Sequence, residues 1–311
     1  MIKTAISLFS GCGGSDLGLK DCGFETVISN DIMDYACKVY RANFPNTQVI
    51  CGNIQNIKSF PSVDLLAGCY PCQGFSQGGA RKSNRKINYL YREFARVLKI
   101  VKPKAFVVEN VSGMLRKNYT HLLKNQVTFF RLCGYKVAKP KILNACDYGV
   151  PQNRKRIFIV GIRSDFNVEY KFPVATHGTG KAQYVTQKDV LSKMPSWPEG
   201  EFYDKEFHWY YMSRNRRRDW NEPSATIVAS QRHLPLHPIS PKLVKVDKDK
   251  WVFESEGPAR RFSYKEAAIL QGFPHNFKFP DSSLAKKYEV IGNAVPPPLF
   301  KSVVRAIPDI W

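Results

Sequence analysis

The chain is expected to fold as an α/β protein: a mostly parallel sheet with helices on both faces, joined to a smaller irregular domain. Three observations predict this. Short β-branched and aromatic runs alternate with helix-period segments from residue 4 to residue 162. The first of those runs leads into a glycine-rich turn, "FSGCGGSDLGL". From about residue 165 the alternation stops and prolines cluster with Trp197, Trp209, Trp220 and Trp251, a texture of loops rather than of βαβ units.

Taken in order, "TAISLF" (4–9), "ETVISN" (25–30), "VDLLAG" (63–68), "KAFVVEN" (104–110) and "RIFIVGI" (156–162) read as strands. Each is short, apolar and bounded by Gly, Asn or Asp. "IMDYACKVYRANF" (32–44), "YLYREFARVLKIV" (89–101) and "THLLKNQVTFFRL" (120–132) carry apolar residues at helical spacing. Strands separated by helices of this length make right-handed crossovers and hence a parallel sheet. After the irregular region, "SYKEAAILQGF" (263–273) is helical again, with Ser263 as N-cap and Glu266 at capping-box spacing. "EVIGNAVPPPLFKSVVRAI" then reads as a strand-like start, a Gly-Asn turn, prolines at a helix entrance and a helical tail.

The 311 residues suffice for a large α/β domain and a smaller one, and 43% hydrophobic content supports a core. No apolar run approaches the ~20 residues of a membrane span. The apolar start is too short for a secretion signal, so a cytosolic protein with reduced thiols is expected. Its eight cysteines are therefore not a disulfide framework. Lys and Arg number 47 against 26 Asp and Glu, a net of +21. Such an excess suits a polyanionic partner, although it also serves solubility. No long basic amphipathic helix favours a membrane surface.

The turn after the first strand lets a ligand approach the backbone closely. A dinucleotide fingerprint needs G-x-G-x-x-G; Gly11 and Gly13 fit, but the third position is Asp16, which disfavours NAD. No lysine follows at P-loop spacing. What remains is a turn suited to a nucleoside without pyrophosphate. The second strand ends in Asp31, placed to accept from ribose hydroxyls. Such glycines also make plain tight turns, and such an aspartate also caps helices.

"GCYPCQGFS" (68–76) sets Cys69 and Cys72 at C-x-x-C spacing. A redox dithiol sits at a helix start, yet here a strand precedes the pair and a glycine-rich basic loop follows. A zinc site needs two further ligands; His233 and His237 straddle Pro235 and lack finger spacing, so no metal is expected. A lone nucleophile remains, Cys72, with Arg81, Lys82, Arg85 and Lys86 downstream to favour thiolate. "VVENVSG" ends a strand in Glu109-Asn110, at the sheet edge where ligands bind. "GVPQNRKRIF" sets Arg154 and Arg156 at alternate positions just before or within a strand, so both are expected to point the same way. A nucleophile, an acid and two cations thus fall at one end of one sheet.

The ordered series "FSGCGG" (9–14), "PCQGFS" (71–76), "ENV" (109–111), "QNRKR" (152–156), "EPSATI" (222–227), "RRFSYKEAAILQGFP" (260–274) and "GNAVPPPL" (292–299) resembles the S-adenosylmethionine-dependent DNA (cytosine-5)-methyltransferases over nearly the whole chain. "MSRNRRRDWNEPSATIVASQRHLPLHP" is also similar to the recognition region of bacterial restriction–modification enzymes that methylate GGCC. The resemblance implies a Rossmann-like catalytic and cofactor-binding domain (1–165), a target-recognition domain (166–262) and a C-terminal segment (263–311) returning to the catalytic domain. It implies catalysis by Cys72, Glu109, Arg154 and Arg156 on a cytosine flipped out of duplex DNA. It places Phe9, Gly11, Gly13, Gly14, Asp31, Pro71, Leu90 and Asn293 at the cofactor. Asn53 stands where the family commonly has aspartate; its amide still accepts a hydrogen bond but carries no charge. DNA contacts are expected from Ser76, Arg81 and Arg85 in a mobile loop (76–88) and from Arg214, Arg216 and Arg232, with Arg217 facing phosphate or solvent. The implied partners are duplex DNA and a cognate restriction endonuclease, the state a monomer, and the setting the bacterial cytosol or nucleoid. A tRNA cytosine-5 methyltransferase and a non-catalytic DNA-binding module are the alternatives.

Overall fold

The computed structural model describes residues 2–71, 89–116, 119–248 and 250–311. The chain divides into two compact units. The first comprises residues 1–143, 155–174 and 299–311, and the second 144–154 and 175–298.

The first unit is the sheet. Its elements run β1 (Lys3–Leu8), α1 (Gly14–Lys20), β2 (Phe24–Asp31), α2 (Asp34–Asn43), β3 (Gln48–Cys51), β4 (Leu65–Gly68), α3 (Tyr91–Val101), β5 (Ala105–Val111), α4 (Thr120–Leu132), β6 (Tyr135–Val137), β7 (Lys141–Asn144) and β8 (Lys155–Arg163). The strand order is β3-β2-β1-β4-β5-β8-β6, with β7 paired on β8. β3, β2, β1, β4 and β5 are parallel, while β8 runs antiparallel to β5 and β6. The predicted mixed sheet, mostly parallel, is therefore present.

The helices form because their apolar residues recur on one face. α3 buries Tyr91, Phe94, Ala95, Val97, Leu98 and Val101. It stops at Lys102, whose φ of 49° is left-handed and precedes Pro103, which cannot continue a helix. Phe94, Phe106, Phe130 and Tyr135 stack edge to face beneath the sheet, with Phe106 and Phe130 ring centres 4.9 Å apart. The end of the chain closes this unit. Phe300 approaches Phe158, the Tyr170 hydroxyl donates to the Val303 carbonyl at 2.9 Å, and Trp311 meets Phe24 edge-on at 4.9 Å.

The second unit has little regular structure: α5 (Gln187–Leu191), α6 (Trp209–Met212), an antiparallel pair β9 (Leu243–Asp247) and β10 (Lys250–Phe253), α7 (Tyr264–Leu270), α8 (Leu284–Asn293) and the start of α9 (Pro297–Arg305). Polar pairs hold it together. Arg260 and Glu266, both fully buried, form a two-pronged ion pair with both N···O distances 2.7 Å. Glu266 also accepts from the Ser263 backbone N–H, completing the capping box at the start of α7. Burial and the Arg260 charge push His237 down to about 3, so a neutral ring lies beside the pair. Replacing Glu266 by alanine is expected to destabilise the protein by about 3–5 kcal/mol, because a buried guanidinium loses its anion. Denaturant unfolding of Glu266→Ala beside the wild type measures this; a loss below about 1 kcal/mol would contradict it.

Two expectations change here. Residues 263–298 group with the second unit, and only 299–311 with the first. α7 and α8 pack on each other, and the Tyr288 hydroxyl donates to the Phe262 carbonyl at 2.7 Å. "EVIGN" is the end of helix α8 rather than a strand, because its β-branched residues are buried by tertiary packing that overrides local preference. Gly292 in that turn is required for space: a Cβ there would stand 2.3 Å from the Val228 carbonyl carbon and the Ala229 nitrogen. Among the described residues, no helix is long and apolar enough to cross a membrane.

Candidate active site

The strand order changes direction at β1. From β1 the chain goes outward through β2 and β3, then returns to the other side at β4 and β5. Loops after β1 and β4 leave from the carboxyl edge at this switch, where open α/β sheets bind ligands. Register aligns the edge: Leu8 lies opposite Asn30 and Gly68, and Gly68 opposite Val108. One residue further along each strand are Phe9, Asp31, Cys69 and Glu109.

The first loop is built around left-handed backbone. Phe9, Gly11 and Gly13 have φ of 55°, 54° and 93°. At Gly13 a side chain is excluded twice, by φ and because a Cβ would lie 2.4 Å from the Phe44 ring. Asp16, which breaks the dinucleotide pattern, is a buried hub under the loop. It accepts from the hydroxyls of Ser7, Ser15, Thr26 and Tyr40 at 2.8–3.0 Å. Burial pushes its carboxyl up, and the four donors oppose that. It ties α1 to β1, β2 and α2.

Asp31 accepts from the Gly11 backbone N–H and from that of Met33, both at 2.8 Å. The Ile32 backbone N–H also acts on this carboxylate, and the residue is only half-buried. Burial pushes this carboxyl up as well. A Cβ at Gly11 would meet no atom within 4 Å, so the loop leaves a cradle. Ile32 beside it is 70% exposed, and Phe9 and Leu90 are half-buried at the same edge. Apolar faces around a half-buried carboxylate fit the nucleoside of S-adenosylmethionine. The exposed Asn53 caps the turn after β3, its Oδ1 accepting from the Gln55 N–H at 3.0 Å. Gly14 opens α1, and Asn293 ends α8 in the second unit, exposed.

Strand β4 delivers the cysteine loop. Cys69 still belongs to the sheet edge, its N–H donating to the Leu8 carbonyl at 3.2 Å. Burial pushes its thiol well up, with Glu109 and Asp16 adding to the effect. That environment keeps Cys69 protonated and unsuited to a thiolate role. Tyr70 is buried with its hydroxyl donating to Gln126 Oε1 at 2.7 Å, and its carbonyl accepts from Asn110 Nδ2 at 3.1 Å. Both contacts hold the backbone leading through the half-buried Pro71 to the next residue. Cys72, Ser76, Arg81, Arg85 and the loop 76–88 lie outside the described residues.

Glu109 is 7% exposed near the end of β5, and Arg156 on the neighbouring antiparallel strand meets it, Nε to Oε1 2.9 Å. Burial pulls the Arg156 guanidinium down from its ordinary range, and Glu109 counteracts this. The two form a largely buried acid–cation pair one strand from β4 and Cys69.

Arg154 comes just before this neighbouring strand. Strand β8 begins at Lys155, so the two-residue alternation expected of a strand does not extend back to Arg154. Its guanidinium donates within the second unit, to the carbonyls of Ile227 (2.8 Å), Gly292 (2.8 Å) and Ala294 (3.0 Å). Gln152 and Gln271 complete this buried network.

In the arginine-rich stretch of the second unit, Arg214, Arg216 and Arg218 are exposed and Asn215 is buried. Arg217 was expected to face phosphate or solvent, but it is an internal anchor. It donates to the carbonyls of Ser240 (2.8 Å) and Pro238 (2.9 Å) and pairs with Asp219. A single letter in a basic run does not disclose that its guanidinium is claimed by carbonyls two dozen residues on. Arg232 is exposed, with the hydroxyls of Tyr203 and Tyr211 beside it.

Sequence reasoning passed over Ile32, Asn110 and Asn215. Ile32 carried a signal, an apolar residue directly after a strand-ending aspartate. The other two act through backbone carbonyls distant in sequence.

A family profile described as C-5 cytosine-specific DNA methylase matches residues 3–309. The chain is 38% identical to the type II methyltransferase M.BsuRI of Bacillus subtilis, over 97% of its own length and 78% of the relative's. It is likewise 38% identical to the type II methyltransferase M.NgoPII of Neisseria gonorrhoeae, over 97% and 94%. The fold is similar to that of a Spodoptera frugiperda DNMT2 mutant, with a TM-score of 0.70, 17% identity and coverage of 98% and 99%. The chain belongs to the C-5 cytosine-specific DNA methylases and is an enzyme that methylates cytosine in DNA at C5 with S-adenosylmethionine as cofactor.

Proposed function

We propose that the protein modifies one cytosine of GGCC in duplex DNA, as the methyltransferase of a restriction–modification system with a cognate endonuclease, acting as a monomer in the bacterial cytosol. The observation that supports the chemistry most is the largely buried Glu109–Arg156 pair near the end of β5, one strand from β4, which precedes Cys72 in the sequence.

Cytosine C5 is a weak nucleophile. Cys72 thiolate adds to C6, forming the S–C6 bond while the ring electrons move toward C5 and N3. Glu109 shares a proton with N3, so negative charge does not build up on the ring. Arg156 faces O2 and holds Glu109 in place. When bound, S-adenosylmethionine would supply an electrophilic methyl group for C5, its sulfonium sulfur leaving as a neutral thioether. Loss of the C5 proton to a base then restores the ring double bond and expels Cys72 as thiolate. None of these groups can reach a stacked base, so the target cytosine is swung out of the duplex, at a cost of a few kcal/mol. Ser76, Arg81 and Arg85 are carried as DNA contacts from the resemblance alone.

Phe9, Ile32 and Leu90 would flank the purine, Asp31 the ribose, Gly11, Gly13 and Gly14 the remaining backbone contacts, and Asn53 the adenine amine. Pro71 and Asn293 are carried as cofactor contacts from the resemblance alone. Arg154 is carried as a catalytic residue beside Arg156 from the resemblance alone.

Target readout is assigned to Arg214, Arg216 and Arg232. Guanine offers O6 and N7 in the major groove, the pair that arginine meets with two hydrogen bonds. GGCC offers four guanines across its strands, and these three arginines are exposed in one unit. Bisulfite sequencing of DNA from cells expressing the protein is expected to show methylation centred on GGCC. Alanine at a base-reading arginine should cost about 1–3 kcal/mol on that site and much less on other sequences. Methylation centred on GCGC or CCWGG would contradict the target, and methylation confined to tRNA would contradict the substrate.

A further inference from the structure

The two segments that carry the proposed readers are far apart in sequence, at 214–218 and 230–234, and one buried side chain joins them. Asn215 is fully buried between exposed Arg214 and exposed Arg216. Its Nδ2 donates to the carbonyl of Arg232 at 2.9 Å and to that of Leu234 at 2.7 Å. Both amide protons are thus engaged by the second segment, on either side of His233. The Tyr211 ring, at the end of α6, also lies 4.9 Å from the His233 ring. Burial lowers His233, and the charges of Arg214, Arg232 and Arg261 lower it further.

We propose that Asn215 is a positioning residue for target recognition, setting the spacing of Arg214 and Arg216 relative to Arg232 by clamping the two segments through their backbone. This rests on the reading of those arginines as base readers. An amide suits the place because it brings two donors to two carbonyls without a charge. Its Oδ1 has no hydrogen-bond partner among the described residues, so the side chain is there for its donors. Arg217 fastens the same stretch to Pro238 and Ser240 two residues later, whereas the Asn215 side chain hydrogen-bonds the Arg232 segment.

The clamp acts on geometry at the bases and not on the reacting atoms. Asn215→Leu fills similar space without donors, and Asn215→Ala removes the side chain. In whichever folds, judged by melting and by S-adenosylmethionine binding, kcat on GGCC duplex should change less than about threefold. The KM for DNA should rise, and the kcat/KM ratio of GGCC over single-base variants should fall about tenfold. In an Arg232→Ala background the same substitution should lower that ratio little further, because its effect passes through Arg232. An unchanged ratio in a folded Asn215 variant, with Arg232→Ala lowering it, would overturn the positioning role alone. A fully additive double variant would overturn it as well. If Arg232→Ala itself leaves the ratio intact, the reading of that arginine as a base contact fails, and the clamp with it.

Discussion

Replacing Cys72 with serine is expected to abolish methyl transfer while leaving the protein folded and able to bind cofactor and DNA. A neutral hydroxyl adds to C6 far less readily than a thiolate, and nothing else in the proposed chemistry activates C5. Cys69→Ser is the informative companion. Its thiol is held protonated by burial and by the neighbouring carboxylates, and its backbone is tied to Leu8. Turnover should stay within about tenfold of the wild type, or ~1.4 kcal/mol. Single-turnover methylation of a labelled duplex measures both. Equal inactivity of the two variants would bring back a dithiol mechanism.

Glu109→Gln should lower the rate of methyl transfer by about 10²-fold or more. The amide keeps the shape and still accepts from Arg156, but it cannot pass a proton to and from N3. It also leaves the desolvated Arg156 charge without its anion, so melting must be compared alongside the rate. Cofactor affinity should hold, because the Gly11 loop follows β1, two strands away, and Asp31 ends β2, three strands away. A near-normal single-turnover rate in a folded Glu109→Gln protein would show that the acid role is wrong.

Much of the first unit was legible in the sequence because its strands are short, β-branched and bounded by turn residues, and its helices keep one apolar face. α1 was not, since "GSDLGLK" contains two glycines and forms through the buried Asp16 hub rather than through propensity. The direction of β8 was equally hidden: "RIFIVGI" reads as a strand, but its pairing antiparallel to β5 depends on the path of the chain. "EVIGN" misled because Val290 and Ile291 favour strands in isolation, whereas Ser283 caps a helix that carries them into the core.

At the site, residue types disclosed chemistry but not allegiance. Glu109 and Arg156 meet, while Arg154, two positions earlier, supports the turn at Gly292 and Ala294. Within "RNRRR", three arginines face outward and one is an anchor, and the asparagine is what ties the stretch to Arg232. Such distinctions rest on carbonyls distant in sequence, which periodicity does not encode.

The central claim is that Cys72 forms a covalent bond to the cytosine it activates. The most direct measurement uses a GGCC duplex with 5-fluorocytosine at the target, incubated with the enzyme and S-adenosylmethionine, followed by denaturing electrophoresis and peptide mapping. Fluorine cannot leave as a proton does, so elimination stops and the adduct persists. The account predicts a stable one-to-one complex joined through the peptide containing Cys72, absent from Cys72→Ser. Methylation of the unmodified duplex with no trapped complex, or a complex joined through Cys69, would contradict it.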